Sequence, residues 1–259
     1  MLIEQTLFGE HNKIAISIAR LQEFEPKPEG YYLAFSGGKD SCVIKQLAIE
    51  SGVKFDAHYS VTTIDPPDLI KFIRTNHTDV IWDRPEKPFL IRLTEKGFPT
   101  RRGRWCCEEY KEGSGDGRFV ITGIRKYESY GRSKRLMVES CKKNNGKVFI
   151  NPIIDWTDDE VWEYINDRNL PYCSLYDDGF TRIGCLMCPL ASKSSRLMEM
   201  RKYPGYEKAF RSAFRKLFHR RQLTGSESIK RWNNGDEMFD WWIGEMEPIP
   251  NEDQLTIFE

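Results

Sequence analysis

The stretch of this chain whose residue types are best suited to chemistry on a phosphate is Ser36-Gly37-Gly38-Lys39-Asp40-Ser41. Two glycines let the backbone approach an anion closely and take up positive φ. Backbone N–H groups at such a turn, where a helix starts, can cradle a phosphate. Lys39 adds a point charge, and Ser36 and Ser41 add hydroxyl donors. The spelling departs from the Walker A loop, which needs four residues between its first glycine and the Gly-Lys pair. It also lacks glycines at positions one, three and six, the dinucleotide fingerprint. An ordinary kinase or GTPase loop is therefore excluded. The plain alternative is a glycine-rich turn without a ligand.

A second group is built from cysteine. Of the seven cysteines, Cys106 and Cys107 are adjacent, and Cys185 and Cys188 form a C-x-x-C in Gly184-Cys185-Leu186-Met187-Cys188-Pro189. Such a pair brings two thiolates to one metal, and four sulfurs suit zinc or an iron–sulfur cluster. Adjacent cysteines can hardly chelate one small tetrahedral ion without strain, whereas a cubane offers them separate corners. Four core thiols are the alternative. Cys42, Cys141 and Cys173 have no partner spacing and read as ordinary side chains. A third group is Gly123-Ile124-Arg125-Lys126-Tyr127-Glu128-Ser129, where Arg125 can offer a planar fork to a phosphate.

The elements that must position these groups can be read from patterning. The apolar run Tyr31–Phe35 precedes the loop as a strand, and Cys42–Ala48 follows it as helix. Asn12 to about Phe24 has helical spacing. Residues 55–61, 78–82 and 119–123 read as further strands, and Asp65-Pro66-Pro67-Asp68 opens a helix. Thr157 with Glu160 three residues on is a capping box for another helix, with Trp156 and Trp162 as expected core residues. Strand–helix alternation predicts an α/β fold, a doubly wound, mostly parallel sheet with sites at strand C-termini. The basic and aromatic stretch from Tyr203 to Arg221 either tracks phosphates or packs Tyr206, Phe210, Phe214, Leu217 and Phe218 inside a helix. The expected organisation is an N-terminal helix over 1–29, a nucleotide domain over 30–200, and a helical C-terminal region over 201–259.

On these residues the chain resembles the PP-loop ATP pyrophosphatase superfamily, whose loop reads Ser-Gly-Gly-x-Asp-Ser. Its Gly-x-Arg-x-x-Glu-Ser segment is similar to that of sulfonucleotide reductases and the ATP sulfurylase small subunit. Cys-Cys followed by a distant Gly-Cys-x-x-Cys resembles the [4Fe–4S] pattern of the APS reductase branch, and some DNA-phosphorothioation ATP pyrophosphatases carry a similar set. The likeness covers about residues 30 to 200 and implies an adenine nucleotide α-hydrolase-like fold. It also implies ATP and Mg²⁺ as ligands. Ser36, Gly37, Gly38, Lys39, Asp40, Ser41, Gly123, Arg125 and Glu128 would form the nucleotide site. Lys39, Asp40 and Arg125 would be its catalytic members, and Cys106, Cys107, Cys185 and Cys188 would hold a [4Fe–4S] cluster.

Two departures from the reductases stand out. The sequence has no cysteine after Cys188 to act as the tail nucleophile of that family, and the phosphate loop is intact rather than degenerate. Both favour ATP activation of an acceptor oxygen, with sulfur delivered by a cysteine desulfurase. A reductase, an ATP sulfurylase small subunit and a non-catalytic nucleotide-binding partner are the alternatives.

Gln254-Leu255-Thr256-Ile257-Phe258 resembles the peptide by which bacterial proteins bind the DNA sliding clamp. The alternative is a terminal apolar patch that packs on its own domain; read as a clamp peptide, the tail favours DNA as the acceptor. Formal net charge is zero, so the molecule as a whole is no electrostatic nucleic-acid binder. No run approaches the ~20 apolar residues of a membrane span. An odd cysteine count and an N-terminus without a basic-then-apolar leader predict a cytoplasmic protein.

Overall fold

A computed structural model describes residues 1–7, 9–141 and 146–244 of the 259-residue chain. The clamp-like peptide Gln254–Phe258 lies outside the described residues. The chain divides into two compact units. The first comprises Met1–Val61, Asp65–Arg84 and Tyr110–Gly184, and the second comprises Thr62–Ile64, Pro85–Glu109 and the described part of Cys185–Glu259.

The first unit opens with a small antiparallel hairpin, β1 (Ile3–Thr6) and β2 (Gly9–Asn12), and then α1 (Lys13–Glu23). Asn12 caps α1 by accepting from the Ala15 N–H. There follow β3 (Tyr31–Ala34), α2 (Lys39–Ser51), β4 (Phe55–Ser60), α3 (Pro67–Asn76), β5 (Ile81–Asp83), β6 (Phe119–Ile121), β7 (Val138–Ser140), β8 (Val148–Ile150) and α7 (Asp158–Asp167). The labels α4, α5 and α6 belong to Phe89–Lys96, Trp105–Cys107 and Tyr130–Ser133.

Six strands form one sheet in the order β5-β4-β3-β6-β8-β7. Every pairing is parallel except β7 with β8, which is antiparallel. The chain runs outward from β3 through β4 to β5, then returns to place β6 on the other side of β3. The direction of winding therefore switches between β3 and β6, and ligands of open α/β sheets bind outside such a point.

Tyr31 and Leu33 of β3 are fully buried, and the Tyr31 hydroxyl donates to the Leu21 carbonyl of α1 at 2.8 Å. The alternate residue Tyr32 stacks on His58 of β4, and its hydroxyl donates to Asp83 at 2.9 Å. A period of two thus sends one set of side chains into an apolar layer and the other into a polar network. The Thr157–Glu160 capping box forms as expected, and Trp156 is fully buried. Trp162 is only partly buried and instead meets Tyr172 and Tyr176 edge-on. The expected strand at 78–82 begins later, at Ile81, because residues 78–80 turn out of α3.

The second unit is helical: α4, α5, α8 (Lys193–Lys202), α9 (Pro204–Leu223) and α10 (Gly235–Ile243). Phe210, Phe214 and Leu217 of α9 are buried, and Phe214 packs on Phe239 and Trp242 of α10. Gly235 permits this approach, since a Cβ there would lie 2.5 Å from the Arg215 Cα. Half of the aromatic stretch in 203–221 is thereby core, while Tyr206 and Phe218 are only half-buried. Among the described residues no helix is long and apolar enough to cross a membrane.

Candidate functional site

The loop after β3 runs Phe35-Ser36-Gly37-Gly38 and delivers the chain into α2, a helix of 13 residues. Gly38 is the N-cap and offers no side-chain cap to the first turn of that helix. An uncapped helix start presents backbone N–H groups and the positive end of the helix dipole. Gly37 has φ +72°, and a Cβ there would lie 2.6 Å from Leu69 Cδ1 and 2.8 Å from Ile73 Cδ1 of α3. Conformation and packing both demand glycine at this position.

The loop hydroxyls work within the loop. Ser41 Oγ donates to the Gly38 carbonyl at 2.7 Å, and Ser36 Oγ donates to Ser41 Oγ at 3.3 Å. The Lys39 N–H donates to the Tyr176 hydroxyl at 2.9 Å, and the Lys39 ammonium lies 5.6 Å from the centre of that ring. Burial pushes the Tyr176 phenol well above its ordinary range.

Beyond β6, Gly123 lets the second segment close on the first. A Cβ there would lie 3.0 Å from the Asp40 Cβ. Arg125, only 3% exposed, donates from Nε to Asp40 Oδ1 at 2.6 Å and from Nη2 to Asp158 Oδ1 at 2.8 Å. Lys39 Nζ reaches the same Asp158 oxygen at 3.0 Å. Lys39, Asp40, Arg125 and Asp158 therefore form one chain of alternating charge. Burial works against the Asp158 carboxylate, but Lys39 and Arg125 outweigh it and hold its pKa below the usual carboxylate range. Glu128 accepts from the Arg125 N–H at 3.0 Å and pairs with Arg132.

The predicted loop, Gly123, Arg125 and Glu128 thus assemble around one point of the sheet. The Arg125 fork, expected to face phosphate, is held by the carboxylates of Asp40 and Asp158. Asp158 and Tyr176 were missed. Asp158 lies in the first turn of α7 beside other acids, and nothing in the sequence marks it or Tyr176 apart from residues of the same type.

The four paired cysteines fall together in the second unit, all partly exposed. Cys107 donates to or accepts from Cys106, and this contact, then burial, then the nearby Cys185 and Cys188 raise the Cys106 pKa. Four thiols this close cannot all ionise unless a cation joins them, and that is the donor chemistry of a thiolate-bound metal group. Among the described residues no group of three or more His, Cys, Asp or Glu is arranged ready to hold a metal ion.

The C-x-x-C turn is held from below. Met187, buried, adopts φ +57°, and its N–H donates to Glu199 Oε2 of α8 at 2.6 Å. Burial pushes the Glu199 carboxyl up to about 7. Cys42 and Cys173 are buried elsewhere, and burial pushes the Cys42 thiol up to about 12.

A parallel sheet with an anion-ready loop at its switch point defines a nucleotide-binding α/β domain. Residues 30–191 match the phosphoadenosine phosphosulfate reductase domain, and the chain belongs to that family. It is 30% identical over 213 residues to an uncharacterized protein of Methanocaldococcus jannaschii, covering 77% of this chain and 44% of that protein. An adenosine 5'-phosphosulfate reductase of Oceanobacillus iheyensis is 43% identical over 68 residues, 26% of this chain and 28% of that protein. A probable FAD synthase of Schizosaccharomyces pombe is 27% identical over 190 residues, covering 70% of this chain and 69% of that protein. The chain thus spans less than half the length of the first two. The crystal structure of phosphoadenylyl-sulfate reductase from Candida auris, a phosphate complex, shares the fold. Its TM-score is 0.50 at 18% identity, over 65% of this chain and 87% of that one.

Proposed function

We propose that this chain is an adenylating ATP pyrophosphatase of sulfur transfer, with the DNA backbone as its acceptor. The observation that carries the reading is the start of α2 behind the Ser36–Ser41 loop, where Gly38 supplies no side-chain cap, with two buried cations, Lys39 and Arg125, beside it. A helix start with two cations beside it suits a multiply charged anion, and this supports a polyphosphate ligand.

In this reading the loop N–H groups and Lys39 hold the β- and γ-phosphates. A non-bridging oxygen of the acceptor phosphodiester attacks the α-phosphorus, and the bond from that phosphorus to the bridging oxygen breaks. Pyrophosphate leaves with its charge on Lys39. The acceptor now carries AMP on oxygen. The terminal sulfur of a persulfide, supplied by a cysteine desulfurase, attacks the acceptor phosphorus and displaces AMP; a second thiol then attacks the carrier sulfur of the resulting S–S bond, becomes a disulfide with it, and leaves the phosphorothioate. Asp40 orients Arg125 or meets Mg²⁺. Cys106, Cys107, Cys185 and Cys188 would hold a [4Fe–4S] cluster, which supplies a thiolate-ligated site for sulfur or for structure. The probable FAD synthase relative supports adenylyl chemistry, since FAD contains an adenylyl group.

The test is release of pyrophosphate and AMP from labelled ATP with DNA and a sulfur donor present. Lys39→Ala is expected to abolish it, and no pyrophosphate under any acceptor condition rejects the reading. The reductase relative favours a second reading, reduction of adenosine 5'-phosphosulfate. Sulfite release from that compound with a thiol reductant, without ATP cleavage, would select it.

A further inference from the structure

The segment that carries Arg125 into the nucleotide site continues onto the surface of the same unit. Tyr127 and Tyr130 stand there 70% and 79% exposed. Rings this open bury little apolar area within the fold. The Lys134 ammonium lies 4.4 Å from the centre of the Tyr130 ring. Arg132, at the centre, is close enough to Arg125, Arg135 and Arg182 that all three depress its pKa, after burial itself. Arg132 and Arg135 have carboxylate partners in Glu128 and Glu139. Lys126, Lys134 and Arg182 are exposed, and among the described residues none of the three has an ion-pair partner. The field of Asp40 reaches Arg132, so this patch starts at the nucleotide loop itself.

We propose that Tyr127, Tyr130, Lys126, Lys134 and Arg182 form the surface on which single-stranded nucleic acid is laid as the acceptor, bases on the tyrosines and phosphates on the cations. The proposal rests on the adenylating reading above and names where its acceptor binds. Exposed rings beside cations suit a strand whose base faces are free, because stacking on aromatic side chains contributes for every unpaired base. A duplex hides those faces and would use the cations alone.

The experiment is fluorescence anisotropy with a labelled single-stranded oligonucleotide and with its duplex, on the full chain, alongside titration of each variant with a non-hydrolysable ATP analogue. Tyr127→Ala with Tyr130→Ala is expected to weaken single-strand binding about 30-fold or more, with ATP-analogue affinity unchanged. Lys126→Ala, Lys134→Ala and Arg182→Ala together are expected to flatten the salt dependence of log K by about 2, at about 0.7 per phosphate contact. Single-strand binding that is absent, or indifferent to the tyrosines, or no tighter than duplex binding, overturns the proposal. Loss of ATP-analogue binding or of pyrophosphate release in the unaltered chain would reject the adenylating reading instead, and the two failures are read in separate titrations.

Discussion

Replacing Asp158 with asparagine tests how the charges of the site are balanced. One Asp158 oxygen accepts from Lys39 Nζ at 3.0 Å and from Arg125 Nη2 at 2.8 Å. Unit charges about 4 Å apart attract by roughly 4 kcal/mol at an effective dielectric of 20. The Asp158 side chain is 57% exposed, so solvent screens most of this, and a net value of about 1 kcal/mol is appropriate. Arg125 keeps Asp40, which prevents the larger penalty of an orphaned buried cation. Asp158→Asn is thus expected to lower the melting temperature of the ligand-free protein by about 2–4 °C. The same carboxylate competes with any phosphate for Lys39. Its loss is expected to tighten magnesium pyrophosphate binding about 5-fold, the equivalent of that 1 kcal/mol. Thermal melting without ligand, together with calorimetric titration of pyrophosphate, reads both effects. A variant that melts lower and also binds pyrophosphate more weakly would refute the reasoning, because Asp158 would then belong to the ligand's frame.

His77 makes stability depend on acid. Burial first, then Lys45, lowers its pKa from 6.5 to about 4. The folded protein therefore favours neutral imidazole: its contribution is fully present above pH 6.5 and is lost as pH falls through 4. The span corresponds to about 3 kcal/mol, and urea midpoints at pH 7 and pH 4 should show it, with the slope reduced in His77→Gln. Gly37→Ala should cost about 2–5 kcal/mol by strain at positive φ and collision with Leu69 and Ile73, seen as a lowered denaturation midpoint. Glu199→Ala leaves the buried Met187 N–H without its acceptor and should destabilise the chain by about 1–3 kcal/mol in the same assay. Cys185→Ser should reduce bound iron and the absorbance near ~400 nm after anaerobic purification, and metal analysis of both proteins checks it.

Much of the site was legible because its chemistry is local in sequence. Strand, small-residue turn and helix start are contiguous in Tyr31–Ala48, and the second segment announces itself by a glycine, an arginine and an acid within six residues. The central strands were legible for the same reason, as apolar runs bounded by turn residues. Asp158 and Tyr176 were not, because their roles arise only when α7 and the turn after it are brought against Lys39, over 100 residues away in the chain. The short strands β1, β2, β7 and β8 were not read from the sequence. The cysteines were readable as two pairs, and it is the helical unit that gathers them. Trp162 was misjudged because an aromatic on a helix face can pack against tyrosines at the rim as readily as in the core.

The sheet ends on both sides in strands of only three residues, Ile81–Asp83 and Val138–Ser140, and each carries an acid, Asp83 and Glu139. So short a margin exposes few backbone donors and acceptors. Little ladder is left at either end of this sheet for a further strand to pair with, which guards the chain against edge-to-edge aggregation while it folds.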